Sequence, residues 1–466
     1  MDVKAMREPH PDSGADKCRT GDDARNRLTD AVAALPLFDH HAHPLLREAA
    51  VAARPFPAFF TESDDPEQVA RHAASSLFFR RALRELAEFA GCPPDPAELV
   101  RERARAGYRP WCERLIAASG IRAALLDDGY LAEETHPVPC LFGSVGRIVR
   151  AEAELERLVP DSHSAADLLG RFESTLLQAA RDPSVFALKS IVAYRSGLAI
   201  ERWSPAAVEA AYCEVRRRWG DRRPRLVEKA LLDEAFMRLL EVARQSGKPV
   251  QVHTGFGDPD LDLRLANPLH LRPFMHDPAW RGVALVLLHA YPYVREAGFL
   301  ASSYARVYVD LSLTVPFAST QGMQAALAEA LHLAPTTKIL MATDASRIPE
   351  LFWLGARAAR RTVAAVLEQV AAAGELTAEE AVRVAGQLLW DNAAALYGVP
   401  PTPAEPLHQA TAPVEADPAG IGGGGGGTGR DGAGSAGGNG GASGHGSGGG
   451  LGQPRAGAAG DGGGWR

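Results

Sequence analysis

The sequence predicts an α/β fold, a (β/α)8 TIM-like barrel, on three observations. Eight short apolar runs recur along the chain, longer amphipathic segments fall between most of them, and several runs close on a side chain able to bind metal or move protons. The runs lie at residues 36–39, 121–126, 140–143 with 147–149, 186–192, 249–253, 284–289, 307–311 and 338–342. Segments 161–180, 231–246, 321–333 and 349–373 carry apolar positions at helical spacing. A last helix starts at Thr377, where Glu380 completes a capping box, and ends near Tyr397 with Gly398 as its C-cap. Residues 44–120 are too many for a plain connection between the first two strands. Helical patterns at 66–90 and 95–119 predict an α-helical insertion over about residues 45–120 near the barrel mouth, either a binding lid or a packing and pairing surface.

At 466 residues the chain suggests about three domains by length alone. Its glycine distribution argues otherwise, since 25 of the 46 Gly fall from Gly420 onward. The expected organisation is a polar, disordered arm (1–30), one barrel (31–400) and a disordered Gly-rich tail (401–466).

A hydrophobic content of 46% with 7% aromatics supplies a real core. No run of apolar residues is long enough to span a membrane. The first residues are charged and broken by Pro9 and Pro11, unlike a secretory leader, so a cytoplasmic location is expected. The five Cys form no CxxC pair, which argues against a zinc ribbon or a disulfide framework. A net charge of −7 offers no basic field for nucleic acid or anionic lipid. The arginines at 216–218 and around 222–225 have acidic neighbours and read as a salt-bridged helix edge.

The chemistry starts with Asp39-His40-His41-Ala42-His43 at the end of the first strand. In extended backbone, residues two apart share a face, so His41 and His43 point into one space and can bind one metal ion. His253, His289 and Asp344 close three further runs, and the C-terminal strand ends of a barrel converge on its active face. Lys189 is one of only six Lys, yet it interrupts an apolar strand. A buried ammonium needs a partner or a modification, so Lys189 either pairs with a carboxylate or is carbamylated and bridges two metal ions.

With HxH on the first strand, Lys on the fourth, His on the fifth and sixth, and Asp on the eighth, the chain resembles the amidohydrolase superfamily of metal-dependent barrels. Blocks 39–44, 188–197, 252–258, 289–292 and 343–346 are similar to its amidohydrolase-2 branch, in particular to the group that fungi and plants fuse to a glutamine-synthetase-like domain. The similarity spans about residues 31–399, and the synthetase-like part is missing here.

The resemblance implies that His41, His43, His253 and Asp344 hold a divalent ion, most often zinc, and that Asp344 accepts a proton from the attacking water. It implies that His289 binds a second metal or polarises the substrate carbonyl, and that Lys189 is a carbamate in a binuclear site or an ammonium in a mononuclear one. Arg195 is a candidate clamp for a substrate carboxylate or a loop salt bridge. Tyr130 and Asp310 are candidates for the pocket mouth or, equally, for structural roles. The Gly255-Phe256-Gly257-Asp258 loop reads as a turn beside His253, not a phosphate cradle.

The expected activity is hydrolysis of a C–N bond in a small amide, γ-glutamyl-type among the options. A metal-dependent decarboxylase and a non-catalytic small-molecule-binding barrel are the alternatives. The expected partner is a small-molecule substrate, with pairing between copies expected by analogy.

Overall fold

The apolar runs become eight parallel strands: β1 Leu37–Ala42, β2 Ile121–Asp127, β3 Ser144–Arg150, β4 Val185–Ser190, β5 Val250–His253, β6 Leu285–Leu288, β7 Val307–Asp310 and β8 Ile339–Leu340. They pair in chain order in one eight-stranded sheet, as expected for a (β/α)8 barrel. A computed structural model carries this fold and describes residues 28–129, 142–220, 225–313 and 317–399. Among the described residues no helix is long and apolar enough to cross a membrane.

Side chains alternate across each strand and build two apolar layers. Phe38, Leu125, Ile148, Val286, Leu288 and Leu340 fill the barrel interior. Leu37, Ala124, Leu188, Val252 and Leu287 face outward, where the amphipathic helices Ala165–Arg181, Lys229–Ser246 and Pro349–Ala372 cover them.

Three local differences from the sequence-based expectation have physical causes. The third strand is continuous over Ser144–Arg150 and is not split at 144–146; residues 140 and 141 lie outside the described residues. Gly146 looks like a breaker, but a Cβ there would stand 2.3 Å from the Phe186 ring and 2.6 Å from Leu125, so the packed interior requires glycine. In the insertion, the pattern at 66–90 divides because Ser76 caps a new helix, Leu77–Ala90, while the pattern at 95–119 divides into Pro96–Ala106 and Tyr108–Ser119 at Gly107, φ +81°. The last helix has its capping box at Thr377, but a π-helical turn, Gln387–Asp391, precedes Asn392–Tyr397. There Trp390 packs against the barrel interior, and Asn392 Nδ2 donates to the carbonyls of Thr336 (2.7 Å) and Ile339 (2.8 Å) beside β8.

The insertion is fastened to the barrel by buried polar contacts. Trp111 Nε1 donates to Glu350 Oε1 (2.9 Å), and Arg103 pairs with the same oxygen (3.3 Å).

Because β8 is only two residues long, the chain just beyond it joins the last strand to the first. Thr343 donates its N–H (2.8 Å) and hydroxyl (2.6 Å) to the two carboxylate oxygens of buried Asp39. Further along, Asp344 N–H donates to the His41 carbonyl (2.9 Å) and His43 N–H to the Ala345 carbonyl (2.8 Å). The same contacts that close the seam therefore fix where His41, His43 and Asp344 stand. Asp39→Ala leaves two buried Thr343 donors unmet and should lower unfolding stability by roughly 2–4 kcal/mol, read by denaturant titration; an unchanged midpoint would show that Asp39 does not hold the seam.

Candidate metal centre

Positions 41, 253, 289 and 344 all lie at the C-terminal strand ends, with His43 just past β1. One ligand atom from each of His41, His289 and Asp344 lies within 4.8 Å of the others. Asp344 Oδ1 is 3.2 Å from Nε2 of both His41 and His43, and Asp344 Oδ2 is 3.8 Å from His289 Nδ1. The His253 ring lies 4.5 Å from that of His289, centroid to centroid. Two of these residues adopt left-handed backbone, His289 at φ +68° and Asp344 at φ +50°. Such strain costs of order 1–3 kcal/mol per residue and persists where the surroundings over-determine the site.

Second partners fix the histidine tautomers. Gln251 Nε2 donates to the His40 carbonyl and the Tyr397 hydroxyl, both at 2.9 Å, so its Oε1 accepts from His41 Nδ1–H at 2.8 Å. His43 Nδ1 donates to the Asp127 carbonyl at 3.1 Å. Both rings then turn an Nε2 lone pair toward Asp344 Oδ1, which is buried and receives no hydrogen bond among the described residues. Lys189 Nζ, 2.9 Å away, meets the His41 lone pair from one side, but Asp344 Oδ1 still faces both imidazole nitrogens with no donor among the described residues, so this donor set fits a divalent ion.

Burial pushes His41 down to about 3, helped by the nearby Lys189 charge, and keeps the imidazole neutral as a metal ligand must be. Burial also holds His253 well below the ordinary histidine range, with His289 adding to the effect. For Asp344, burial favours the neutral acid, but the electrostatic influence of neighbouring groups, His289 first among them, holds its carboxyl well below the usual range.

Lys189 is buried on β4, its Nζ 2.9 Å from His41 Nε2 and 3.2 Å from Asp127 Oδ2. Arg150 on β3 clamps the same carboxylate, Nη2 at 2.6 Å and Nε at 3.0 Å from Oδ2. Asp127, Arg150 and Gln251 were not singled out from sequence. The one available signal was a polar side chain within or closing a barrel strand, which alone says nothing about its partner.

Of the two readings for Asp310 the structure takes the structural one: it is fully buried and does not stand at the mouth. Its Oδ1 lies 2.9 Å from His40 Nε2, and Oδ2 accepts the His289 N–H (3.1 Å) and the Ser312 hydroxyl. Ser312 Oγ in turn meets His289 Nδ1 at 2.9 Å, so Asp310 orients His289 from behind. Tyr130 lies outside the described residues.

A cavity of about 240 Å³ opens over the cluster and is lined by His43, Lys189, His253, His289 and Asp344. Arg195 lines it too, with Nη2 3.1 Å from Glu156, while its Nε is buried without a hydrogen bond among the described residues. Glu62, Tyr194, Arg225, Asp258 and Arg347 are also part of the polar wall. The loop after β5 is a tight turn, as expected: Gly255 has φ +71°, and a Cβ there would lie 2.2 Å from the Tyr291 carbonyl.

Residues 202–399 match the family model described as Amidohydrolase. Protein fluG of Emericella nidulans is 31% identical over 401 residues, which cover 78% of this chain and 45% of that protein, so the chain spans less than half the length of this relative. A crystal structure from Lactobacillus casei, described as a candidate metal-dependent hydrolase, is 28% identical with a TM-score of 0.71 over 80% of this chain and 97% of that one. Uronate isomerase of Thermotoga maritima (14% identity, TM-score 0.56, 80% and 97% covered) shares the fold.

Gln251→Leu removes the acceptor that fixes the His41 tautomer and should weaken divalent-metal affinity by roughly 10- to 100-fold. Competition against a chromophoric chelator measures this, and wild-type affinity in the variant would refute the role.

Proposed function

The chain is related to the amidohydrolase-2 family, and on that premise we propose that it is a metal-dependent hydrolase cleaving the C–N bond of a small amide, with γ-glutamyl-type amides as the substrate class. The observation that carries this reading is the His41, His289 and Asp344 cluster under a cavity of small-molecule size. Imidazole and carboxylate ligands suit zinc.

When bound, a divalent ion supplies Lewis acidity, which activates water and polarises a carbonyl. The other roles belong to the chain. Asp344 takes the proton of the attacking water and passes it to the leaving nitrogen, since its carboxylate faces the cavity and three imidazoles hold its position. His289, oriented through Ser312 and Asp310, stands beside Asp344 to polarise the carbonyl oxygen.

We read Lys189 as an ammonium serving a mononuclear site. A carbamate on its Nζ would bring a second anion against Asp127, whose Oδ2 is 3.2 Å away. A mass gain of one carbon dioxide on the native protein would reverse this assignment.

Decarboxylation of a small acid is the rival reaction, because arginines in the cavity would serve its carboxylate equally well. Carbon dioxide release without ammonia or amine would identify it. Chelation should abolish amide hydrolysis and zinc should restore it, while Asp344→Asn should lower kcat by roughly 10²- to 10⁴-fold. Steady-state kinetics on a panel of γ-glutamyl amides tests both, and hydrolysis that survives chelation or the substitution would exclude the mechanism.

A further inference from the structure

Part of the cavity wall is chemically specific in a way the metal site does not require. Glu62 comes from the insertion, just after the turn Phe56–Phe60, and Arg347 from the loop after β8. The two side chains line the same cavity and lie near enough for the Arg347 charge to act on Glu62, yet among the described residues they form no ion pair with each other. Arg347 is held at φ +71°, and its Nε is buried without a hydrogen-bond partner among the described residues. Its guanidinium carbon lies 5.9 Å from the Phe59 ring, which steadies the plane and leaves the donors at its edge available.

The other cavity charges outside the ligand cluster each have a charged partner, although Arg195 also keeps a buried Nε without a hydrogen bond among the described residues. Arg195 is tied to Glu156, Arg225 to Asp260 and the Tyr194 carbonyl, and Asp258 has Arg225 and Arg195 as counter-charges. Glu62 and Arg347 therefore remain as a carboxylate and a guanidinium without a mutual ion pair, lining the same cavity as the ligand cluster. A buried unmet guanidinium donor is costly, and a ligand carboxylate is its natural acceptor. A neighbouring carboxylate that had only to repel anions would weaken that binding, whereas one that receives a cation on the same ligand strengthens it.

We propose that Glu62 and Arg347 together read a zwitterionic head, Glu62 receiving an ammonium and Arg347 the carboxylate on the same carbon, so that the substrate is an amide built on an α-amino acid. Burial holds the Glu62 carboxyl up to about 7, and a ligand ammonium would supply the counter-charge that favours its ionised form. The proposal rests on the hydrolase reading only for what becomes of the amide; recognition of the head is a binding property in its own right.

Isothermal titration of the full chain, reconstituted with zinc, tests it with three probes. These are L-glutamate, glutarate, which lacks the ammonium, and 4-aminobutanoate, which lacks the α-carboxylate. L-Glutamate should bind at least about tenfold more tightly than either analogue. Glu62→Gln should bring L-glutamate down to the affinity of glutarate, and Arg347→Met should bring it down to that of 4-aminobutanoate, with Arg347→Lys recovering part of the loss. Zinc content and thermal midpoint report on folding in each variant. Equal binding of the three acids by the wild type, no binding of any of them, or a full L-glutamate preference in Glu62→Gln would overturn the assignment. Amide hydrolysis that ignores the α-ammonium would sink the pair and leave the hydrolase standing, while probe preference without amide cleavage would do the reverse.

Discussion

Ionisable side chains packed inside an apolar barrel must satisfy one another, and that constraint organises the molecule. The contacts form a continuous chain: Arg150 to Asp127, Asp127 to Lys189, Lys189 to His41, His41 to Asp344, and Asp344 across to His289. From His289 it continues through Ser312 and Asp310 to His40, then through Tyr397 and Gln251 back to His41. Every strand contributes to it directly or through the residues just after it. Removing one member leaves its neighbours unpaired in a low-dielectric interior, so the arrangement that presents ligands to a metal also holds the strands in register.

Much of this was legible in the sequence. The eight runs, the HxH pair, the polar residues closing later strands and the single intrusive Lys189 are local patterns, and a barrel gathers strand ends by topology alone. What was not legible depends on neighbours rather than on pattern. Gln251 sits between Val250 and Val252 and gives no local sign that it will face His41. Asp127 and Arg150 look like ordinary strand-end charges until β2 and β3 lie side by side. Asp310 ends a strand and reads equally as a mouth or a structural residue, until its side chain turns into the barrel beside His289. Glu62 lies in an insertion whose helical periodicity reports packing and says nothing about which side chain overlooks the cavity.

The fold alone does not choose the reaction. A uronate isomerase shares the architecture at 14% identity, so reaction identity has to be argued from side chains. Here the two kinds of argument separate cleanly. Groups on and just after the strands are bound to each other and leave little room for variation. The wall above them draws on the insertion and on the loops after several strands, so what the cavity recognises is set largely by connecting segments.

The stitching of β1 to the residues after β8 also has a bearing on biosynthesis. The HxH pair is among the first described residues to leave the ribosome, whereas Asp344, Asn392 and Tyr397 are made hundreds of residues later. A nascent chain therefore carries two histidines with neither the carboxylate that faces them nor the Gln251–Tyr397 contact that steadies His41. The full ligand set and its supports therefore exist only once residues through Tyr397 have been made. A chain that ends before the last helix has its seam residues but lacks the Tyr397 hydroxyl that holds Gln251 against His41.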